Sequence, residues 1–235
     1  MKDCPWKVLL PRERRSSISA MAEDTPPKLR TLAGYLYLVK LGFSEGNIIL
    51  VGDSAGGNLA LALTRYLLSN KERQSELPEI PGSLVLLSPW VDLAEQFDLG
   101  PRSSLIQNAE RDWINSGALS ADAMVLLGGR PEHVEIAHRN SYISSASPVL
   151  LGLTPDSPIR TISFNGFPRT FIDYGLFESF CGQIRHLRDA MVEDLGEGFI
   201  TYNDVDEAVH DYLIFDWHDP DRTATSRKIL KWLGE

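Results

Sequence analysis

The sequence predicts an α/β fold in which a mostly parallel sheet is covered by helices on both faces. Short apolar runs rich in β-branched residues recur along the chain, and amphipathic helical stretches separate most of them. Strands that alternate with helices in this way favour a parallel sheet with right-handed crossovers. The 235 residues, of which 43% are hydrophobic and 23% charged, suit one globular core.

The first half of the chain contains two predicted helices and two predicted strands. Two prolines open an amphipathic helix that we expect over residues 25–42. Residues 47–51 (NIILV) are typical of a strand buried on both faces of a parallel sheet, and Gly52 is expected to end it. A second helical face follows over residues 59–67, and residues 83–88 (SLVLLS) predict another strand.

Two further strands and two further helices are predicted in the second half. The strands are residues 170–174 (TFIDY) and 198–202 (GFITY), which Gly, Pro or polar residues bound. The helices are expected over residues 180–195 and 223–233, and the second of these is the terminal helix.

Two stretches fall outside this alternation. Residues 1–24 show no sustained apolar period apart from a short strand candidate at residues 6–10, so the main domain is expected to span residues 25–235. Residues 91–153 interrupt the alternation and contain one helical candidate at residues 118–127. This interval predicts an excursion above the sheet, such as a lid or a pocket wall.

Composition argues against several classes of partner. The net charge of -9, with no basic stripe, makes nucleic acid an unexpected partner. No apolar run reaches the roughly 18 residues that a membrane helix needs, and the first residues have the reverse order of a secretory signal. Cys4 and Cys181 are too few for a disulfide framework or a metal site, so we expect free thiols in a reducing, cytoplasmic compartment.

Residues 52–56 (GDSAG) match the pattern G-x-S-x-G directly after a predicted strand and directly before a predicted helix. At such a turn the serine backbone is strained and its hydroxyl projects above the sheet, since the flanking glycines leave room. Ser54 is therefore the candidate nucleophile, and the amide of Ala55 is a natural oxyanion donor. The alternative is a glycine-rich turn that happens to contain a serine.

A nucleophilic serine needs a histidine as general base, and the histidine needs a carboxylate that orients it. Of the five histidines, His210 follows the last predicted strand, and the carboxyl ends of strands are where an α/β sheet places its working groups. A loop-capping role is the alternative for His210. The other histidines are expected on the surface: His133, His138, His186 and His218.

The chain order serine, acid, histidine restricts the carboxylate to the residues between Ser54 and His210. Glu178 lies just past a predicted strand, whereas Asp173 lies inside that strand and Asp189 inside the next helix. Glu178 is therefore the candidate acid. The alternative is that Glu178 only stabilises the first turn of the helix through the helix dipole.

Together these features resemble the hormone-sensitive-lipase-like branch of the α/β-hydrolase esterases. The resemblance runs from about Pro26 to the C-terminus, and it is most specific where two of its segments are combined, residues 52–58 and 88–93. The matching features are residues 52–58 (GDSAGGN), residues 88–93 (SPWVDL), Asn108 and Ala109 with Asp112, the turn at residues 175–178, and His210.

The resemblance implies an α/β-hydrolase fold and a serine hydrolase that cleaves carboxylic esters of short or medium acyl chains. Ser54 would be the nucleophile, His210 the base, and Glu178 the acid in place of the family's usual Asp. Residues 91–153 would form part of the acyl-pocket wall, and neither a metal nor an organic cofactor is implied. Contacts with the small-molecule ester substrate are expected from Asp53, Gly56 and Trp90.

The upstream oxyanion loop of the family has no counterpart in the sequence. Members of this branch carry a His-Gly-Gly motif before the nucleophile, and these residues contain no His-Gly dipeptide. We therefore expect an N-terminally truncated esterase whose early sheet strands are missing and whose hydrolysis is impaired. A catalytically inactive protein that binds a ligand or a partner chain is the alternative. The strand at residues 47–51 would expose an unpaired edge that favours self-association, unless residues 6–10 pair with it.

Overall fold

Within the residues that it describes, the computed structural model contains one sheet of five parallel strands. The strands lie side by side in chain order, so each strand pairs with the next one along the sequence. They are β1 (Lys7–Leu9), β2 (Ile48–Asp53), β3 (Ser83–Leu87), β4 (Arg169–Gly175) and β5 (Ile200–Val205). The residues that the structure describes are 7–9, 27–72, 77–95, 100, 103–114, 116–130 and 133–234.

Helices precede, connect and follow the strands. Longer helices alternate with strands as the sequence predicts, and three shorter ones lie in the excursion after β3. In chain order the helices are α1 (Pro27–Lys40), α2 (Ala55–Asn70), α3 (Ser104–Gln107), α4 (Ser116–Leu126), α5 (His133–His138), α6 (Cys181–Leu195) and α7 (Asp221–Leu233). Single turns of 3-10 helix lie at Glu45–Asn47, Tyr212–Ile214 and Asp216–His218.

Both faces of the sheet are covered, so the predicted α/β fold is confirmed. Successive side chains of a strand point to opposite faces. Leu84 and Leu86 of β3 belong to the main core together with residues of α1, α2 and α6. Val85, which lies between them, belongs to a smaller core in which Trp232 of α7 contacts Phe171 edge-on at a ring-centroid distance of 5.6 Å.

Two strand boundaries differ from the prediction. β2 does not end at Gly52, because Gly52 and Asp53 both continue the ladder with β3. The last strand is Ile200–Val205 rather than residues 198–202, because the ladder with β4 runs to Val205, which pairs with Gly175. The other predicted strands and helices of residues 25–235 agree with the structure within a few residues.

The edge of β2 is paired by a strand from the N-terminal segment. Lys7, Val8 and Leu9 of β1 lie opposite residues 48–50 in a parallel ladder. Of the two arrangements that the sequence leaves open, the structure has the one in which this segment supplies the neighbour of β2. The remainder of the strand candidate at residues 6–10 lies outside the described residues. Self-association through a sheet edge stays a prediction.

The excursion at residues 91–153 begins just after β3 and contains α3, α4 and α5. Its helix α4 corresponds to the candidate predicted at residues 118–127. The side-chain amide of Asn58 in α2 donates to the Ile143 carbonyl at 2.8 Å. This bond connects the last part of the excursion to the helix after the GDSAG turn. Its role as a lid or pocket wall stays a prediction. In the parts of the chain that the structure describes, no helix has the length and apolar character to cross a membrane.

Candidate active site

Ser54 occupies a sharp turn between β2 and α2. Its backbone has φ 50° and ψ -120°, a conformation that residues other than glycine rarely adopt. A Cβ atom at Gly52 would lie 2.3 Å from the Gly56 carbonyl oxygen, and one at Gly57 would lie 2.5 Å from the Cβ of Pro89. Glycine at these two positions therefore permits the strained turn that the GDSAG pattern predicts.

The carboxyl ends of four strands place the candidate residues along one edge of the sheet. Ser54 follows β2, Ser88 follows β3, Glu178 lies in the turn after β4, and His210 lies in the loop after β5. The ladder continues past the end of β2, since the Ser54 amide donates to the Leu87 carbonyl at 2.9 Å. This edge is where parallel α/β sheets bind ligands.

Glu178 is fully buried beyond the end of β4. Its Oε2 accepts the Ser88 hydroxyl at 2.6 Å and the Gly175 amide at 3.0 Å. Its Oε1 is buried without a hydrogen-bond partner in the described part of the chain. Burial raises the pKa of Glu178 to about 8, although the His210 charge, the Ser88 hydroxyl and the Gly175 amide act in the opposite direction. The carboxyl group therefore holds its proton to a high pH and has one oxygen without a bond.

His210 is buried between two aromatic rings. Phe180 contacts the imidazole edge-on at a centroid distance of 4.9 Å, and the Trp113 ring lies at 5.8 Å. Its Nε2 lies 3.3 Å from Oδ2 of Asp211. Its Nδ1 is buried with no hydrogen-bond partner among the described residues.

The charge state of His210 is set by opposing effects. Burial lowers the pKa of His210, but the carboxylates of Asp211, Glu178 and Asp112 raise it, and the net shift is upward. The imidazole therefore stays protonated to a higher pH than an exposed histidine. A general base must be unprotonated, so this shift favours activity at the alkaline side of neutrality.

Two polar residues of the excursion fix the turns that carry Glu178 and His210. The carboxylate of Asp112 accepts the Ser179 amide at 2.6 Å and the His210 amide at 3.1 Å. The Asn108 side chain donates to the Glu178 carbonyl at 2.9 Å. The family resemblance includes Asn108 and Asp112 but gives neither of them a role.

The structure brings Glu178 and His210 into one buried cluster that Ser88 connects. The Ser88 hydroxyl donates to Glu178 and accepts the amide of Asp211 at 3.2 Å. Ser54 lies at the same edge of the sheet, but across the described residues no hydrogen bond joins its hydroxyl to His210, whose Nε2 faces Asp211 instead. The sequence prediction includes Ser88 as the end of a strand and the start of residues 88–93, without a role at the site. It misses Asp211, which directly follows His210.

Ala55, the predicted oxyanion donor, is the first residue of α2. The first amides of a helix have no intrahelical carbonyl partner and point along the positive end of the helix dipole. The position of Ala55 is thus compatible with binding a developing negative charge next to Ser54, and its role stays a prediction.

The residues expected to contact substrate differ in accessibility. Asp53 closes β2, and partial burial together with the Asp211 charge raises its pKa. Gly56 lies in the first turn of α2, where an added Cβ would be only in ordinary contact with the Asp53 carboxylate at 3.6 Å. Trp90 is 4% exposed and stacks on Phe180 at a centroid distance of 5.6 Å. Trp90 therefore supports the ring that contacts His210, and a direct substrate contact stays a prediction.

The four other histidines are half-buried, so the expectation of surface positions is only partly met. Burial lowers the pKa of His186. The ring of His218 packs edge-on against Tyr212 at 5.7 Å. The half-buried residues are His133, His138, His186 and His218.

A family model described as the alpha/beta hydrolase fold matches residues 18–213 of the chain. The chain therefore belongs to this family, and the fold that the resemblance implies is confirmed. The matched residues include Ser54, Glu178 and His210.

Curated relatives match shorter segments. Esterase LipU of Mycobacterium tuberculosis is 44% identical over 63 residues, which are 27% of this chain and 19% of LipU. Carboxylesterase/phospholipase LipF of the same organism is 30% identical over 125 residues, which are 50% of this chain and 30% of LipF. The chain thus matches less than a third of the length of either relative.

Solved structures match over most of the chain. A hormone-sensitive lipase from a metagenome library superposes with a TM-score of 0.67 at 24% identity, covering 90% of this chain and 62% of that one. The hormone-sensitive-lipase homologue EstE7, also from a metagenome library, gives a TM-score of 0.63 at 25% identity, with 88% and 60% coverage. With the family match, these likenesses confirm the resemblance to hormone-sensitive-lipase-like α/β hydrolases.

Proposed function

We propose that the chain is a serine hydrolase that cleaves carboxylic esters of short or medium acyl chains. Ser54 acts as the nucleophile, His210 as the general base, and Glu178 as the acid that orients the imidazole. The observation that carries the proposal is the strained turn at Ser54, which lies at the same edge of the sheet as the buried His210 and Glu178. The names of LipU, an esterase, and LipF, a carboxylesterase/phospholipase, support the same class of reaction.

In the proposed reaction, the Ser54 oxygen attacks the ester carbonyl carbon while Nε2 of His210 accepts the hydroxyl proton. The Ala55 amide donates to the oxyanion of the tetrahedral intermediate. His210 then gives its proton to the departing alcohol, which leaves an acyl-serine. Water, deprotonated by His210, releases the carboxylic acid and restores Ser54. Glu178 stabilises the imidazolium in both halves.

We further propose that ester turnover by these 235 residues is slow. The family's His-Gly-Gly donors have no equivalent in these 235 residues, so Ala55 is the donor that we can name. Removal of one oxyanion donor typically lowers kcat by about 10²–10³. We therefore expect that covalent labelling of the serine is easier to detect than hydrolysis.

A fluorophosphonate probe and p-nitrophenyl butyrate test the nucleophile assignment. The wild-type chain should be labelled at Ser54 and should hydrolyse the ester, because the probe and the substrate need the same activated hydroxyl. Ser54→Ala should abolish labelling and reduce hydrolysis by at least about 10³-fold. Ser147→Ala is the matched control, because Ser147 is buried and its hydroxyl has no hydrogen-bond partner in the described residues. Labelling that survives in Ser54→Ala would show that the assignment is wrong.

A second candidate function is binding of a small ligand or a partner chain without turnover. The observation that favours it is the position of Nε2 of His210, which faces Asp211 and not Ser54. A folded wild-type chain that shows neither labelling nor hydrolysis would support this function over the esterase.

A further inference from the structure

We propose that Asp211 holds the imidazole of His210 away from Ser54 in the resting chain, and that Nε2 must leave Asp211 before His210 can act as the base. This inference rests on the proposed function and adds a positioning residue to it. Asp211 follows His210 directly, and its side chain is 13% exposed beside the 2% exposed His210.

The ring atoms of His210 show that the resting arrangement is not the working one. In a working triad, Nδ1 bonds to the acid and the other ring nitrogen bonds to the serine. Here Nε2 lies 3.3 Å from Asp211 Oδ2. Nδ1 and the Oε1 atom of Glu178 are both buried without partners among the described residues, although a ring N–H and a carboxylate oxygen are complementary. The imidazole therefore engages Asp211 in place of both triad neighbours.

The position of Asp211 is fixed by its backbone. It has φ 52° and ψ 34°, in the left-handed region that Asp tolerates better than most residues. Its amide donates to the Ser88 hydroxyl at 3.2 Å, and the next residue, Tyr212, is buried with its hydroxyl 3.0 Å from Oδ1 of Asp173. Exchange of the contact therefore requires rotation of a side chain, the imidazole or the Asp211 carboxylate, and not displacement of the Asp211 backbone.

The charges that face His210 favour the arrangement with Asp211. These charges are carboxyl groups from four parts of the fold. They are Asp53 at the end of β2, Asp112 in the excursion, Glu178 in the turn after β4, and Asp211 in the loop after β5. The carboxylates among them favour an imidazolium, which Asp211 pairs at Nε2. Glu178 adds to this effect where it is ionised, toward high pH, because burial raises its pKa to about 8. An imidazolium cannot accept the Ser54 proton, so one proton must pass from His210 to solvent before attack. Asp211 thus restrains the site most strongly below neutral pH.

Asp211→Asn tests this role because it removes the charge, keeps the shape and tolerates the left-handed backbone. The readout is the rate constant of fluorophosphonate labelling between pH 5.5 and 9.5. We expect the midpoint of the rise to move to lower pH, with a rate about 3–10-fold above wild type near pH 6.5 and within about twofold at the alkaline plateau. Asp206→Asn, which neutralises an exposed carboxylate of the same loop, should keep the wild-type profile.

Two labelling results would overturn the proposal. A fall in rate at every pH with an unmoved midpoint would make Asp211 a supporting acid, and an unchanged profile would give it no role.

Titration of the His210 side-chain nitrogens by NMR separates this inference from the proposed function. If the wild type is not labelled at all, the proposed function fails, but a lower His210 midpoint in Asp211→Asn still supports the resting contact. An unmoved His210 midpoint overturns it.

Discussion

Ser88 joins the two loops that carry Glu178 and His210. Its hydroxyl donates to the Glu178 carboxylate at 2.6 Å and accepts the Asp211 amide at 3.2 Å. Its own φ of 42° turns the chain after β3 so that the side chain reaches both loops. A hydrogen bond to a carboxylate stabilises the ionised form, so Ser88 lowers the pKa of Glu178 against the effect of burial.

Ser88→Ala should therefore move the pH dependence of labelling in the direction opposite to Asp211→Asn. Without the hydroxyl, the Glu178 carboxylate loses a donor in a buried site, its pKa rises further, and less of it is ionised at neutral pH. We expect a higher midpoint and a labelling rate at pH 7 that is about 3–10-fold lower. Ser147→Ala again serves as the control. A midpoint that stays in place would mean that Glu178 does not govern the titration.

The sequence predicts Ser54, Glu178 and His210 because each follows a recognisable strand in a known chain order. Ser88 and Asp211 carry no comparable local pattern. The bonds of Ser88 join residues 90 and 123 positions apart, and they form only because β3, β4 and β5 end at the same edge. Residues that are distant in sequence and meet only at a sheet edge can be identified once the topology is known.

The turn between β2 and α2 is the element that presents Ser54. The sequence predicts that the glycines two positions before and after Ser54 leave room for the tight turn. In the structure the crowded positions are Gly52 and Gly57, whereas a Cβ at Gly56 would meet nothing closer than 3.6 Å. The close approach of α2 to Pro89 explains the difference, because an added Cβ at Gly57 would lie 2.5 Å from the Pro89 ring.

Gly57→Ala should destabilise the fold, and Gly56→Ala should not. The added methyl group at Gly57 forces α2 and the segment after β3 apart, which typically costs about 1–3 kcal/mol. Alanine at Gly56 is sterically acceptable and slightly better for a helix. The free energy of unfolding from urea titration checks both variants. Equal stabilities for the two variants would contradict the close packing between α2 and Pro89.

The shift of β5 relative to its predicted position also has an identifiable cause. Residues 203 and 204 are Asn and Asp, which are depleted in strands, so the sequence indicates a loop there. Asn203 is nevertheless buried in the strand, because its side chain donates to Asp173 at 2.6 Å and to Thr225 at 2.9 Å. The Lys228 ammonium in turn donates to the Asn203 oxygen. A polar network between β4, β5 and α7 thus overrides strand propensity.

For the molecule as a whole, the buried carboxyl groups form a shared electrostatic property. Burial raises the pKa of Glu178 to about 8, and those of Glu95 and Asp173 to about 7. Hydrogen bonds to each carboxyl group lower its pKa and so oppose part of the effect of burial. For Glu95 these bonds come from Ser103 and Gln183. The folded chain therefore keeps protons that the unfolded chain releases near pH 4 to 4.5.

The chain should lose stability as the pH rises from about 5 to 8, in contrast to the usual behaviour of acids that are ion-paired in the folded state. The native state binds more protons than the unfolded state in this window, so the free energy of unfolding falls with pH. The raised pKa of His210 acts in the same sense, and the lowered pKa of His186 acts against it. We expect a lower Tm at pH 8.5 than at pH 5.5, with about 2–4 °C for each kcal/mol lost.

Asp173→Asn tests whether the buried carboxyl groups cause this dependence. The variant keeps the oxygen that accepts from Asn203 and Tyr212 but cannot ionise, so the fall in Tm between pH 5.5 and 8.5 should become shallower. Glu197→Gln changes a carboxyl group at an exposed position and is the control, so the slope should stay as in wild type. A wild-type Tm that rises steadily across the window would show that these carboxyl groups are ionised in the folded chain.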